Sequence, residues 1–248
     1  MLEVKNISKV FHHDHHQVEA VKNITLNMGE REFVAVIGPS GCGKTTILKI
    51  IAGLIQPSNG EIVLDGRPVT TPGKDRGLVS QSFTLFPWLT VRKNIAFGLD
   101  LQKIDEEQKN RIVNHYLDIT GLKNFADFYP KNLSGGMQQR IAIARTLANN
   151  PKILLMDEPF GSLDSQTRSQ MQDFLTNLWE KENKTIIFIT HDVAEAIFLA
   201  DKIYVLSGRP TEIKKEFRIP FARPRTHDLK EKNAFFELEK VVTKALEG

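Results

Sequence analysis

With 248 residues, 41% hydrophobic and 25% charged, the chain has room for one large or two small domains and enough apolar content to bury a core. No run of about 18 apolar residues occurs, and the opening Met1-Leu2-Glu3-Val4-Lys5 lacks the basic and apolar regions of a secretory signal, so a cytoplasmic chain is expected. A formal charge of +3 is too small to argue for nucleic acid, and the single cysteine, Cys42, excludes an intramolecular disulfide and a multi-cysteine metal site.

Residues 2–7 read as a strand with Leu2, Val4 and Asn6 on one face, and residues 18–27 as a second half-buried strand. Between them lies His12-His13-Asp14-His15-His16, either a solvated loop tip or a site for Zn²⁺. Glu32–Ile37 is a short apolar run suited to a buried strand, and Thr46–Leu54 has helical spacing. The segment joining them, Gly38-Pro39-Ser40-Gly41-Cys42-Gly43-Lys44-Thr45, has the pattern G-x-x-x-x-G-K-[ST]. Its glycines let successive backbone amides turn inward toward phosphate oxygens, and the following helix adds its positive end. Lys44 then reaches the β and γ phosphates, and the Thr45 hydroxyl is a ligand for Mg²⁺. Cys42 inside this loop is a small filler or a redox-sensitive thiol.

Glu61–Leu64, closed by Asp65-Gly66, reads as a strand entering a tight turn, and Gly77–Ser80 as another strand before Gln81. The aromatic stretch Phe83-Thr84-Leu85-Phe86-Pro87-Trp88-Leu89 follows, its rings either core or an exposed patch. From Leu101 to about Asn150 the pattern is helical, including Asp105–Ile119 and Ser134–Ala148. Strands return at Lys152–Met156, Thr185–Thr190 and Lys202–Leu206, alternating with helices near Ser165–Lys181 and Val193–Leu199. Arg218–Arg225, basic with two prolines, reads as a solvated extension or a contact for anionic lipid or a partner. Residues 229–246 look like a terminal amphipathic helix.

The expected fold is α/β, a phosphate-loop core with a mostly parallel sheet, an antiparallel β portion and an inserted helical subdomain over about residues 85–150. The whole chain, 1–248, is read as one ATPase domain with a C-terminal tail over about 208–248. The strand Lys152–Met156 ends in Asp157 and Glu158. Alone, such a pair fits a solvated turn as well as a catalytic site. In a chain with a phosphate loop, Asp157 suits Mg²⁺, directly or through water, and Glu158 suits the base that activates the attacking water.

Downstream stands Leu133-Ser134-Gly135-Gly136-Met137-Gln138-Gln139-Arg140. Ser134 can cap the helix that follows, while Gly135 and Gly136 let its first amides approach an anion. This octet, just upstream of Asp157, resembles the signature sequence of ATP-binding cassette transporters, and nearly the whole chain resembles their nucleotide-binding subunit. The resemblance implies a head-to-tail dimer in which the signature of one subunit, Ser134, Gly135 and Gly136, covers ATP lying on Gly38–Thr46 of the other. It makes Gln81 the glutamine that touches Mg²⁺ or water, alongside Thr45 and Asp157 as metal ligands. Glu158, His191, Gln81 and Lys44 become the catalytic set, with His191 contacting the γ phosphate. Asp164, in Ser162-Leu163-Asp164, becomes a contact between subunits. Phe11 matches the aromatic that stacks on adenine, with His12 or His13 as alternatives.

Met137 stands where many members have glutamine, as in relatives serving nitrate, sulfonate or taurine uptake, and the Pro/Arg tail resembles that group too. Ser80 stands where an aromatic is common. The resemblance further implies a separate integral-membrane permease, an extracytoplasmic solute-binding protein acting through it, no nucleic acid, and a place on the cytoplasmic face of the membrane. A competing class uses the same ATPase as a nucleic-acid or ribosome-associated clamp; its members usually carry two cassettes or a long coiled coil, and neither is present in this sequence. A nonhydrolysing regulatory ATP binder is disfavoured by Lys44, Asp157, Glu158 and His191.

Overall fold

Strands β1 (Leu2–His13) and β2 (His16–Met28) form a long antiparallel hairpin. Residues 1–13, 16–82 and 84–247 are described in the computed structural model. They divide into two compact units, Met1–Gly73 together with Asn183–Gly248, and Lys74–Glu182. In the first unit Leu2 and Val4 are buried as expected, but Asn6 is not their partner on that face. The register shifts after Val4, Asn6 adopts φ +50, and Ile7 takes the buried position. A bulge of this kind turns the strand by one residue. Asn6 is anchored outside, its backbone N–H donating to Thr25 Oγ1 at 3.0 Å and its side-chain Oδ1 accepting from the same hydroxyl at 2.7 Å.

The chain then enters β3 (Phe33–Ile37), buried at all five positions, and leads through the glycine loop to α1 (Lys44–Ile51). Helix α1 buries Ile47, Leu48, Ile50 and Ile51, each such side chain contributing roughly 1.5–3 kcal/mol on burial. Strands β4 (Asn59–Leu64) and β5 (Arg67–Pro68) complete an antiparallel sheet of order β2-β1-β4-β5. Asp65 and Gly66, at φ +50 and +73, make the turn between them.

The second unit opens with β6 (Arg76–Val79), followed by α2 (Val91–Leu101), α3 (Glu106–Thr120) and α4 (Gly135–Leu147). Each helix starts on a side-chain cap: Thr90, Asp105 and Ser134 accept from the amides of Lys93, Gln108 and Met137. Helix α3 stops at Gly121, which takes the left-handed conformation. Strand β7 (Ile153–Asp157) pairs parallel with β6, and α5 (Ser165–Glu182) closes the unit.

Back in the first unit, β8 (Thr185–Thr190) runs parallel to β3, with α6 (Val193–Leu199) packed on both strands. Strand β9 (Lys202–Leu206) lies parallel on the other side of β3, and β10 (Ile213–Arg218) returns antiparallel to β9. Central strands covered on both faces need no polar alternation, which is why β3, β8 and β9 read as continuous apolar runs. Helix α7 (Asn233–Glu247) packs on β9 and β10, burying Phe235 and Val242. Helix α2 and strand β10 were not anticipated. Strand β10 has only Ile213 and Phe217 as apolar members, four residues apart with Lys215 between them, so its alternation is incomplete.

Candidate functional site

In the first unit the glycine loop leaves the C-terminal end of β3 and feeds directly into α1. Gly41 and Gly43 stand at φ +71 and +126, a path that L side chains rarely take, and Cys42 N–H donates to the Pro39 carbonyl at 3.2 Å. Helix α1 has Gly43 as its N-cap, no side-chain cap and no acidic residue in its first turn. Its positive end therefore carries no built-in negative charge. Lys44 is nearly buried, and its ammonium donates to the carbonyls of Gly38 and Pro39 at 2.9 and 3.0 Å. That places a cation against a run of turned amides, an arrangement suited to a polyphosphate. Gly38 is buried, Pro39, Ser40 and Thr45 are exposed, and Thr46 is half-buried. Cys42 is buried, its sulfur 3.0 Å from where a Cβ on Gly38 would stand, so it serves as the small filler.

His191 follows β8 directly and is exposed. Its neighbours fix the backbone: Asp192 N–H donates to Thr190 Oγ1 at 3.1 Å, Thr190 Oγ1 donates to Glu195 Oε2 at 2.6 Å, and Asp192 caps α6 through Glu195 N–H at 2.9 Å. Phe11 sits exposed on β1 opposite Val18, with the Lys9 ammonium 5.3 Å from its ring centroid. His12 is also exposed; Asp14, His15 and the side chain of His13 lie outside the described residues, and the reading of this cluster as a metal site lies there with them. Among the described residues no group of three or more His, Cys, Asp or Glu is placed to hold a metal.

In the second unit, β7 delivers Asp157 and Glu158, both half-buried, and the buried Pro159 and Phe160 anchor the turn beyond them. Glu158 is held at φ +44, a conformation that costs an L residue about 1–2 kcal/mol. Strain of this sort collects at functional positions. A Cβ at Gly161 would stand 3.7 Å from Gln81 Nε2 and 3.8 Å from Glu158 Oε2, so the glutamine and the carboxylate border one small space. Gln81 itself is exposed just after β6, and Ser80 turns its hydroxyl to the Ser82 carbonyl at 3.0 Å.

The signature octet spans the start of α4. Ser134 accepts from Met137 N–H at 3.3 Å, and a Cβ on Gly136 would meet Thr167 Cγ2 at 2.7 Å, so only glycine permits this approach to α5. Gly135 is half-buried beside them. Thr167 N–H in turn donates to Asp164 Oδ1 at 3.0 Å. Asp164 thus caps α5, and that amide holds its carboxyl below the usual carboxylate range. Arg140 closes the octet by donating to the Thr120 carbonyl at 3.3 Å and lying over the Phe174 ring.

The aromatic stretch divides. Phe83 lies outside the described residues, Phe86 is half-buried against Phe97 at 4.3 Å, and Trp88 is 71% exposed. Sequence reasoning missed Asn94, whose buried amide holds the segment by donating to the carbonyls of Phe86, Leu89 and Thr90 while accepting from Phe86 N–H. A polar residue on the apolar side of α2 was the available signal. Two hollows flank these rings, one of about 660 Å³ between Phe86, Leu101 and Arg145, the other of about 400 Å³ between Trp88, Arg92 and Lys109.

Within Arg218–Arg225 the arginines differ: Arg218 is exposed, Arg223 half-buried and Arg225 buried, so Arg225 is not part of a solvated extension. The Arg225 guanidinium is buried and donates to the carbonyls of Ile197, Phe198 and Ala200 at the end of α6; burial, with Arg223 nearby, pushes its pKa down to about 10. Arg223 pairs with Asp201 at 2.9 Å. Both cations thus satisfy a helix C-terminus.

A family model described as ABC transporter matches residues 21–161. The chain is 46% identical over 253 residues to a nitrate import ATP-binding protein of Synechocystis, covering 100% of this chain and 95% of that protein. It is also 46% identical over 224 residues to a taurine import ATP-binding protein of Roseobacter denitrificans, covering 89% of this chain and 83% of that protein. An aliphatic sulfonates import ATP-binding protein of Bacillus cereus is 44% identical over 248 residues, with 99% and 96% covered. Among solved structures, the dimeric post-hydrolysis state of an ATP-binding cassette bound to ADP and Pi superposes with a TM-score of 0.78 at 34% identity, covering 90% of this chain and all of that one. With a glycine loop and Lys44 in an arrangement suited to a polyphosphate, a carboxylate pair at a strand end and these relatives along its length, the chain belongs to the ABC transporter family and is an ATP-hydrolysing cassette.

Proposed function

We propose that this chain powers an importer for a small solute of the nitrate, sulfonate or taurine type, through a separate permease. The observation that carries the ATP-driven part is the pairing of an uncapped α1 with a buried Lys44 beside the loop carbonyls. The solute class is supported by the names of the relatives above, which also favour an importer over a nucleic-acid clamp.

In this reading the whole chain works as one ATPase domain. Gly38–Thr46 hold the phosphates and Phe11 stacks on adenine. The hydroxyl of Thr45, the amide oxygen of Gln81 and the carboxylate of Asp157 are hard oxygen donors, the set that Mg²⁺ takes. Bound there, Mg²⁺ would neutralise charge on the phosphate oxygens. Glu158 accepts a proton from the attacking water, while Gln81 orients that water and His191 contacts the γ phosphate. Two copies close head to tail, so that Ser134, Gly135, Gly136 and Asp164 of one meet the ATP held by the other. The dimeric cassette among the solved structures supports this assembly. ATP binds the closed pair better than the open one and so shifts the population toward closure, and phosphate release reverses it.

The test is Glu158→Gln. Removing the base should lower turnover by about 10²–10⁴-fold, keep ATP binding and trap a dimer visible by size-exclusion chromatography. Normal turnover would strip Glu158 of its role. No helix among the described residues is long and apolar enough to cross a membrane. We place the subunit at the cytoplasmic membrane face by docking, with Trp88 as the contact and a solute-binding protein acting through the permease. Trp88→Glu should abolish transport in reconstituted vesicles while sparing ATPase activity; equal loss of both would point to folding instead.

A further inference from the structure

We infer that Thr211 is a positioning residue for the phosphate loop: its hydroxyl fixes the Cys42–Gly43 peptide and joins the loop to the hairpin that carries Phe11. The inference rests on ATP being held by Gly38–Thr46. Thr211 lies in the turn between β9 and β10, about 170 residues after the loop, and is fully buried. Its Oγ1 donates to the Cys42 carbonyl. In a trans peptide the carbonyl and the next N–H point in opposite directions. Drawing the Cys42 carbonyl toward Thr211 therefore turns Gly43 N–H away from it, toward the side left for an anion.

Gly43 shows the same division from the other side. A Cβ there would stand 3.1 Å from the Ala20 carbonyl oxygen and 3.2 Å from Thr211 Oγ1, so Thr211 and β2 occupy the face that a side chain would use. At the start of the loop, Leu206 does the same beneath Gly38, with its Cβ 3.0 Å from that glycine's Cβ position. The loop thus rests on the β9–β10 turn.

The backbone of Thr211 is tied as firmly as its hydroxyl. Thr211 N–H donates to the Ala20 carbonyl at 3.2 Å, and Lys22 N–H donates to the Thr211 carbonyl at 2.9 Å, an isolated bridge opposite Val21. Ala20–Lys22 belong to β2, the strand paired with β1 where Phe11 sits. One residue therefore bonds both the floor of the triphosphate cradle and the hairpin bearing the adenine-stacking candidate.

The experiment compares wild type, Thr211→Val and Thr211→Ser. It measures equilibrium binding of ATP carrying a fluorescent ribose label, kcat and KM for ATP, and melting temperature without nucleotide. Thr211→Val keeps the shape and loses the donor; labelled ATP should bind about tenfold more weakly and KM rise in step, with kcat at saturation within about twofold, as expected when one buried hydrogen bond that orients the loop is lost. Thr211→Ser should restore binding. A lowered melting temperature with unchanged binding and KM in Thr211→Val, or weak binding that Thr211→Ser fails to restore, overturns the assignment. If Thr211→Val does not fold, Thr211→Ala carries the same comparison. Failure of wild type to bind labelled ATP would instead sink the ATP-binding reading itself.

Discussion

Two glycine-rich segments, Gly38–Thr45 and Leu133–Arg140, each contain a helix start, yet they treat that helix end oppositely. Helix α1 has no side-chain cap, follows a loop with Gly41 and Gly43 at positive φ, and draws its lysine back over the loop carbonyls. Helix α4 is capped by its own Ser134, and its buried glycine, Gly136, serves to let α5 come close. The first leaves its helix end without a side-chain cap or an acidic residue, which suits an anion. The second has already met part of its hydrogen-bonding demand, so in the proposed dimer a phosphate from the other subunit would have to share or displace the Ser134 cap. In the proposed cycle this difference would suit the first segment to bind ATP in the single subunit and the second to meet it only when two copies close.

The contrast can be broken most sharply at Lys44. Lys44→Ala removes a charge-assisted hydrogen bond to phosphate and should weaken nucleotide binding by the isolated subunit about ten- to a hundredfold in a fluorescence titration. Binding unchanged by Lys44→Ala would mean that the loop alone suffices. Ser134→Ala should leave that titration unchanged, lower turnover in the assembled dimer and cost about 1 kcal/mol of stability for the lost cap in thermal melts. Weakened binding by the isolated Ser134→Ala subunit would erase the distinction between the two segments.

The smallest expected effect concerns Asp164, which caps α5 beside the signature. Its folded pKa lies below the ordinary value because the Thr167 amide stabilises the carboxylate. The cap's contribution is therefore complete above the unfolded pKa, about 3.9, and is lost as pH falls through the lower folded value. Asn at this position also caps but does not titrate. The melting-temperature gap between wild type and Asp164→Asn should accordingly shrink on going from about pH 6 to about pH 3. A gap independent of pH would mean that the charge adds nothing to the signature side.

Much of the fold was legible because its core strands carry one uninterrupted signal. The apolar runs at Thr185–Thr190 and Lys202–Leu206, and the helix Val193–Leu199, match the structure residue for residue. The helix start at Ser134 was equally visible, since a serine before glycines and an apolar period is a cap. What escaped was whatever depends on contacts distant in sequence. The Asn6 bulge reverses an apparently plain alternation, because Thr25 on the neighbouring strand supplies partners that the local pattern does not reveal. Strand β10 exists because β9 offers it a ladder. Arg218–Arg225 read as a solvated extension or a contact for lipid or a partner because arginines beside prolines are usually exposed; Arg218 is exposed, but the α6 carbonyls and Asp201 bind Arg225 and Arg223.

The sequence by itself determined the phosphate loop, the carboxylate pair, the signature octet and most of the strands and helices around them, α2 and β10 excepted. Those features are local: glycine tolerance of positive φ, an apolar run, a capping hydroxyl, each readable within a few residues. Only the tertiary structure decided that Glu158 shares a space with Gln81, that Gly136 of the signature packs against Thr167 of α5, and that Thr211 stands under the loop. Each of these depends on bringing together atoms separated by many residues in the chain, and no local periodicity records which of them will meet.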